Sequence, residues 1–253
     1  MSTALRWLAA CARDAAIVLI TVATIIVAVQ ETHPIFESQP SAVAGLLART
    51  PVSRPLGPLP TDSGTIATAL RSPQFVAERR AFAADLVRTG RMSPERADSI
   101  SYYAVRESYV RGVPPPVVLG VMLTENAKFL SGARSTVGAV GLMQVYPKIW
   151  LGALSDVFGA DLGVDSTNLK YGIYILSRYI NSTRGRDNPA AVNTGLLRYN
   201  GCVRGTNTPR CWTYPSKVRA YVNREAESLC GNRTFYQCIA KPFMAGLQGR
   251  GTP

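Results

Sequence analysis

Histidine is almost missing from this chain. His33 is the only one in 253 residues, and it sits among prolines and acids. There is therefore no histidine cluster to hold a metal, and the five cysteines do not fall at zinc-ligand spacings. No metal or cofactor is expected. Acids are also scarce, 16 against 28 Lys and Arg, for a net charge of +12. Such an excess suits an acidic polymer, an anionic membrane surface or nucleic acid. No helix-turn-helix or zinc-finger pattern supports nucleic acid, which is not expected as a partner. Long uncharged apolar runs are rare too. The one that stands out, Ala15 to Val29 (AAIVLITVATIIVAV), is long for the core of a signal peptide and slightly short of the roughly 20 residues that span a bilayer.

That run decides the layout of the chain. Arg6 and Arg13 precede it, which puts the N-terminus in the cytoplasm and the rest outside. Its exit, Val27-Ala28-Val29-Gln30-Glu31, offers no well-spaced small residues for cleavage. An uncleaved signal anchor within residues 1–30 is expected, with a cleaved signal peptide as the alternative. Leu8-Ala9-Ala10-Cys11 imitates a lipid-acceptor box, but the apolar run follows the cysteine instead of preceding it. Residues 31–60, with Pro34, Pro40, Pro51, Pro55, Pro58 and Pro60, read as a linker extending at most about 3.1 Å per residue. A folded domain over 61–240 and a Gly-rich flexible tail over 241–253 complete the chain. Cys202, Cys211, Cys230 and Cys238 form an even set on the oxidising side, so disulfides are expected. Three pairings are open; short separations favour Cys202 with Cys211 and Cys230 with Cys238.

Within the domain, Phe75, Phe82 and Leu86 mark a helix ending near Gly90. Ser93 and Pro94 can cap and start the next, carried by Ala97, Ile100 and Ala104 to a stop at Gly112. Tyr102, Tyr103 and Tyr109 could stack on sugars but fit a core or rim better. A third helix starts in Pro114-Pro115-Pro116, and Val118, Met122 and Phe129 recur as an apolar stripe. Glu125 falls on that stripe. A carboxyl on a buried face is costly when charged, so its pKa should rise, as a general acid requires. A structural Glu paired with an Arg or Tyr would give the same pattern. Beyond it, Gly138 and Gly141 precede Leu142, Met143 and Gln144, allowing close backbone approach to a ligand and offering an amide for sugar hydroxyls. Asp156, Asp161 and Asp165 are candidate second carboxylates, though their turn-like surroundings favour surface or capping roles.

Glu125, then about ten residues, then Ser135-Thr136-Val137-Gly138-Ala139-Val140-Gly141-Leu142-Met143-Gln144, resembles the core signature of the soluble-lytic-transglycosylase domain, family 1. Asn126 departs from the usual Ser there. Asn168-Leu169-Lys170-Tyr171-Gly172-Ile173-Tyr174-Ile175-Leu176 resembles the family's N-x-x-x-G-x-x-Y-L helix, with Ile175 for Tyr. Leu197-Arg198-Tyr199-Asn200-Gly201 resembles A-Y-N-x-G, and Tyr214 to Val222 resembles the closing Y-x-x-K-V helix. The resemblance implies a mostly α, lysozyme-like domain that cleaves peptidoglycan glycan strands. Glu125 would be catalytic, first as acid and then as base. Ser135, Met143, Gln144, Tyr199 and Asn200 would position the sugars or support the acid, Tyr199 by hydrogen-bonding Glu125. Implied partners are peptidoglycan and, through the anchor, the inner membrane, with the domain in the periplasm. Size and layout suggest opening the wall for a secretion or conjugation apparatus. A muramidase using water, or a non-catalytic wall-binding scaffold, is the alternative.

Overall fold

The structure, a computed structural model, describes residues 63–181, 189–202 and 210–240. The expected anchor, linker and tail, together with Cys11 and His33, lie outside the described residues. Among the described residues no helix is long and apolar enough to cross a membrane.

The domain is mostly α, and prolines start most of its longer helices. In chain order these are α1 (Ser63–Ala69), α2 (Pro73–Arg88), α3 (Pro94–Arg111), α4 (Pro115–Glu125), α5 (Pro147–Phe158), α6 (Asp165–Asn181) and α7 (Pro189–Tyr199). A 3-10 turn (Cys211–Thr213) leads into α8 (Tyr214–Glu225), α9 (Glu227–Cys230) and α10 (Phe235–Ile239). Ser72 and Ser93 cap α2 and α3 by accepting the backbone N–H of Phe75 (3.1 Å) and Arg96 (3.4 Å). Gly112, at φ 66°, ends α3 where expected.

Helix α4 lies at the centre of the packing. Every side chain from Pro115 to Leu123 is buried, with α8 along one side and α2, α3, α9 and α10 against the others. The spacing of Val118, Met122 and Phe129 predicts a one-sided apolar stripe. Instead the run Val117-Val118-Leu119-Gly120-Val121-Met122-Leu123 has no polar residue, and a helix apolar all round is buried all round. Phe129 lies beyond the helix end, at φ 51°, and still fills the core.

Helices α2 and α3 form one antiparallel pair, and α6 packs between α3 and α7. Tyr109 sits in the first pair, its hydroxyl donating to Glu78 at 3.0 Å and its ring edge-on to Phe75, so its role there is packing. Glu107, buried, accepts from Arg106 and Arg111, and the Arg111 guanidinium lies over the Phe158 and Tyr174 rings at 4.9 and 5.0 Å. That cation–π contact ties α3 to α5 and α6. Buried Asp85 accepts the backbone N–H groups of Ser228 and Leu229, capping α9. Cys202 is bonded to Cys211 and Cys230 to Cys238, the pairing that short separation favoured.

Candidate functional site

Glu125 is the last residue of α4, where the buried helix reaches the surface. Its half-buried carboxyl faces a cleft open to solvent. Gln144, Tyr146, Trp150, Tyr179, Tyr199 and Asn200 share the lining. Burial raises the Glu125 pKa from 4.5 to about 7, against a hydrogen bond from Tyr214 and the charge of Lys217, which both lower it. The carboxyl can therefore hold a proton near neutral pH and release it over a narrow range.

The cleft contains no second carboxylate among the described residues. Asp156 is exposed on α5. Asp161 accepts the Gly163 N–H at 2.7 Å in a local turn. Asp165 accepts from Arg96 at 3.0 Å and from Ser131 at 3.0 Å at the start of α6. Asp156 and Asp161 have the surface and turn roles that their surroundings suggested, whereas Asp165 is half-buried in an ion pair that joins α3 to α6.

The backbone of the loop at Val140 and Met143 is tied to α6 by the Asn168 side chain. Asn168, 1% exposed, accepts the Met143 N–H at 2.8 Å and donates to the carbonyls of Val140 (2.8 Å) and Leu162 (3.1 Å). That approach requires a glycine opposite. Gly141 has φ 82°, and a methyl group there would lie 2.3 Å from Asn168 Nδ2. On the next turn of α6, a methyl group on Gly172 would lie 2.4 Å from Met143 Sδ. Gly141 and Gly172, one from each motif, are thus explained by contact between the loop and α6. Asn126, the departure from the family pattern, closes the turn after Glu125. It donates to the Leu130 carbonyl at 2.8 Å and the Gly141 carbonyl at 3.3 Å, and accepts the Leu130 N–H at 3.1 Å.

The expected site residues divide into those that face the cleft and those that build it. Gln144, Tyr199 and Asn200 line it with Glu125. The Gln144 amide nitrogen donates to the Ala133 and Gly141 carbonyls at 3.2 and 2.9 Å, which leaves its oxygen for a ligand. Met143 is fully buried against Gly172, and Ser135 accepts the Ala139 N–H at 3.0 Å to shape the loop. Neither lines the cleft; both shape the loop that carries Gln144. Among the described residues no group of His, Cys, Asp or Glu is placed to hold a metal ion.

The role expected of Tyr199 is corrected. Its hydroxyl donates to the Met143 carbonyl at 2.7 Å, and Tyr214 is the residue that donates to Glu125 Oε1, at 2.5 Å. The two rings stack at 6.5 Å. Helix α7 carries Tyr199 to the loop backbone, while α8 starts directly beside the end of α4. The sequence did hold a signal for Tyr214. Tyr214, Val218 and Val222 recur every four residues, and the valines pack on α4 at Gly120, so the phenol shares that buried face and needs a partner.

What this arrangement can do is hold one carboxyl of raised pKa, hydrogen-bonded by a phenol, in a cleft lined by polar and aromatic side chains. No protein-family model, no curated protein and no solved structure matches the chain.

Proposed function

We propose that this chain is a lytic transglycosylase that cleaves the bond between N-acetylmuramic acid and N-acetylglucosamine in peptidoglycan. The carrying observation is Glu125, its carboxyl raised to about 7 in a cleft without a second carboxylate among the described residues. A hydrolase that uses two carboxyl groups would need a partner across the sugar. One carboxyl acting twice does not. Glu125 gives its proton to the glycosidic oxygen, and the bond from that oxygen to the muramoyl C1 breaks. The resulting carboxylate takes the proton of the muramoyl 6-hydroxyl, whose oxygen closes on C1. Glu125 is protonated again, no water is consumed, and the product ends in a 1,6-anhydro ring. Tyr214 holds the carboxyl in place, and Gln144 and Asn200 present amides to the sugar.

The sequence motifs and the mostly helical fold support a lysozyme-like domain. The reading includes a periplasmic domain held to the inner membrane through residues 1–30 and a basic surface drawn to the wall's peptide carboxylates. It also includes a role in opening the wall for a secretion or conjugation apparatus, which a deletion strain with intact secretion would remove. The enzymatic test is mass spectrometry of purified peptidoglycan digested with the full-length chain. Anhydro ends support the proposal. Reducing ends would make the protein a muramidase, and binding without cleavage would make it a scaffold.

A further inference from the structure

The most exposed large apolar side chain among the described residues is Trp212, at 66%. An indole left in water on a flexible loop would call for no explanation. Trp212 is not on one. It is the middle residue of the 3-10 turn Cys211–Thr213; Cys211 before it and Tyr214, two residues on, are 2% and 5% exposed. Thr213 closes the turn by donating its N–H and hydroxyl to the Arg210 carbonyl at 3.0 and 2.8 Å. The turn is docked, and its indole alone projects.

Both ends of this turn are fastened to the Glu125 cleft. Upstream, Cys211 is bonded to Cys202, two residues past Asn200, which lines the cleft. Downstream, Tyr214 donates to Glu125 itself. Consecutive Cα atoms are about 3.8 Å apart, so the Trp212 backbone lies within about 8 Å of the Tyr214 backbone. The indole therefore projects from a turn held on both sides by residues that adjoin or contact the Glu125 cleft.

We infer that Trp212 is a stacking platform for a pyranose ring of the glycan strand, outside the position where the bond is broken. This rests on the wall-glycan reading of the Glu125 cleft. The chemistry fits a sugar. One face of a pyranose presents C–H groups that carry partial positive charge, and the indole face is the negative pole of its quadrupole. The indole N–H remains a donor for a ring substituent. The aliphatic groups exposed elsewhere, such as Leu130 and Val157, have no such face. A platform of this kind holds the strand without taking part in proton transfer, so it governs how tightly the polymer is bound.

The test uses the full-length chain with Glu125→Gln, which stops turnover, and a β-1,4-linked N-acetylglucosamine hexamer as probe. Binding is followed by the protection of tryptophan fluorescence from an external quencher and by calorimetry. Trp212→Ala is expected to weaken hexamer binding about tenfold and Trp212→Phe by less, since a smaller ring still stacks. With Glu125 intact, Trp212→Ala should act chiefly on KM for peptidoglycan. Circular dichroism and a retained Cys202–Cys211 bond control for folding. Hexamer binding within twofold of the parent in Trp212→Ala overturns the inference, as does absence of binding by the parent. Products carrying anhydro ends alongside unchanged binding would remove the platform and leave the transglycosylase. Trp212-dependent binding with reducing ends would do the reverse.

Discussion

The proton on Glu125 is where the account is most exposed to measurement. A carboxyl whose folded pKa is raised from 4.5 to about 7 holds its proton more tightly in the folded chain than in the unfolded one. The stability this contributes is complete below about 4.5 and is lost as the pH rises through about 7. Melting temperature should therefore fall across that window, and Glu125→Gln should flatten the fall. Under the proposed mechanism turnover needs the protonated acid and should decline above about 7. The tyrosines separate cleanly. Tyr214→Phe removes a hydrogen bond that favours the carboxylate, so the declining limb should move to higher pH and kcat should drop about tenfold. Tyr199→Phe leaves the Met143 carbonyl without its donor and should cost about 1 kcal/mol of stability while leaving the limb in place. A pH–rate profile of both variants decides it. If Tyr199→Phe moves the limb and Tyr214→Phe does not, the assignment of the two phenols is reversed.

Among the secondary-structure elements, α4 and α6 carry the site, and the sequence showed them unequally. Ser93, Pro94 and Gly112 act where they stand, through local capping, so the bounds of α3 could be read directly. That α4 would be enclosed on all sides depended on how other helices pack, and the stripe from Val118 to Phe129 captured only part of it. The partner of Tyr199 was unreadable for the same reason, since which hydroxyl reaches a carboxyl is fixed by where α7 and α8 dock. The Asn168 staple was visible as a motif and not as a mechanism. Asn168→Ala would leave the Met143 N–H and the Val140 and Leu162 carbonyls without their partner in a buried place, at a cost of about 3 kcal/mol. Chemical denaturation measures this. An effect under about 1 kcal/mol would mean that the loop is held by something else.

The domain as a unit is fastened at its C-terminal end by two disulfides, and the one beside the cleft has the wider consequence. Cys202–Cys211 closes a loop with a sequence separation of 9, for which chain entropy gives about 2 to 3 kcal/mol. It also holds the turn that delivers Tyr214 to Glu125. Changing both cysteines to Ser should lower the melting temperature and, at a temperature where the chain stays folded, lower turnover as well. Cys230–Cys238 joins α9 and α10, where neither cysteine lines the cleft, so its removal should affect stability and spare turnover. Equal losses of turnover from the two bonds would contradict the positioning role.

One experiment reaches the central claim without relying on variants: digestion of purified peptidoglycan in water labelled with heavy oxygen, with the new glycan ends read by mass spectrometry. Intramolecular closure takes no oxygen from solvent, so the expected ends are anhydro and unlabelled. One heavy oxygen at each new reducing end would show that water, and not the muramoyl hydroxyl, attacks the muramoyl C1.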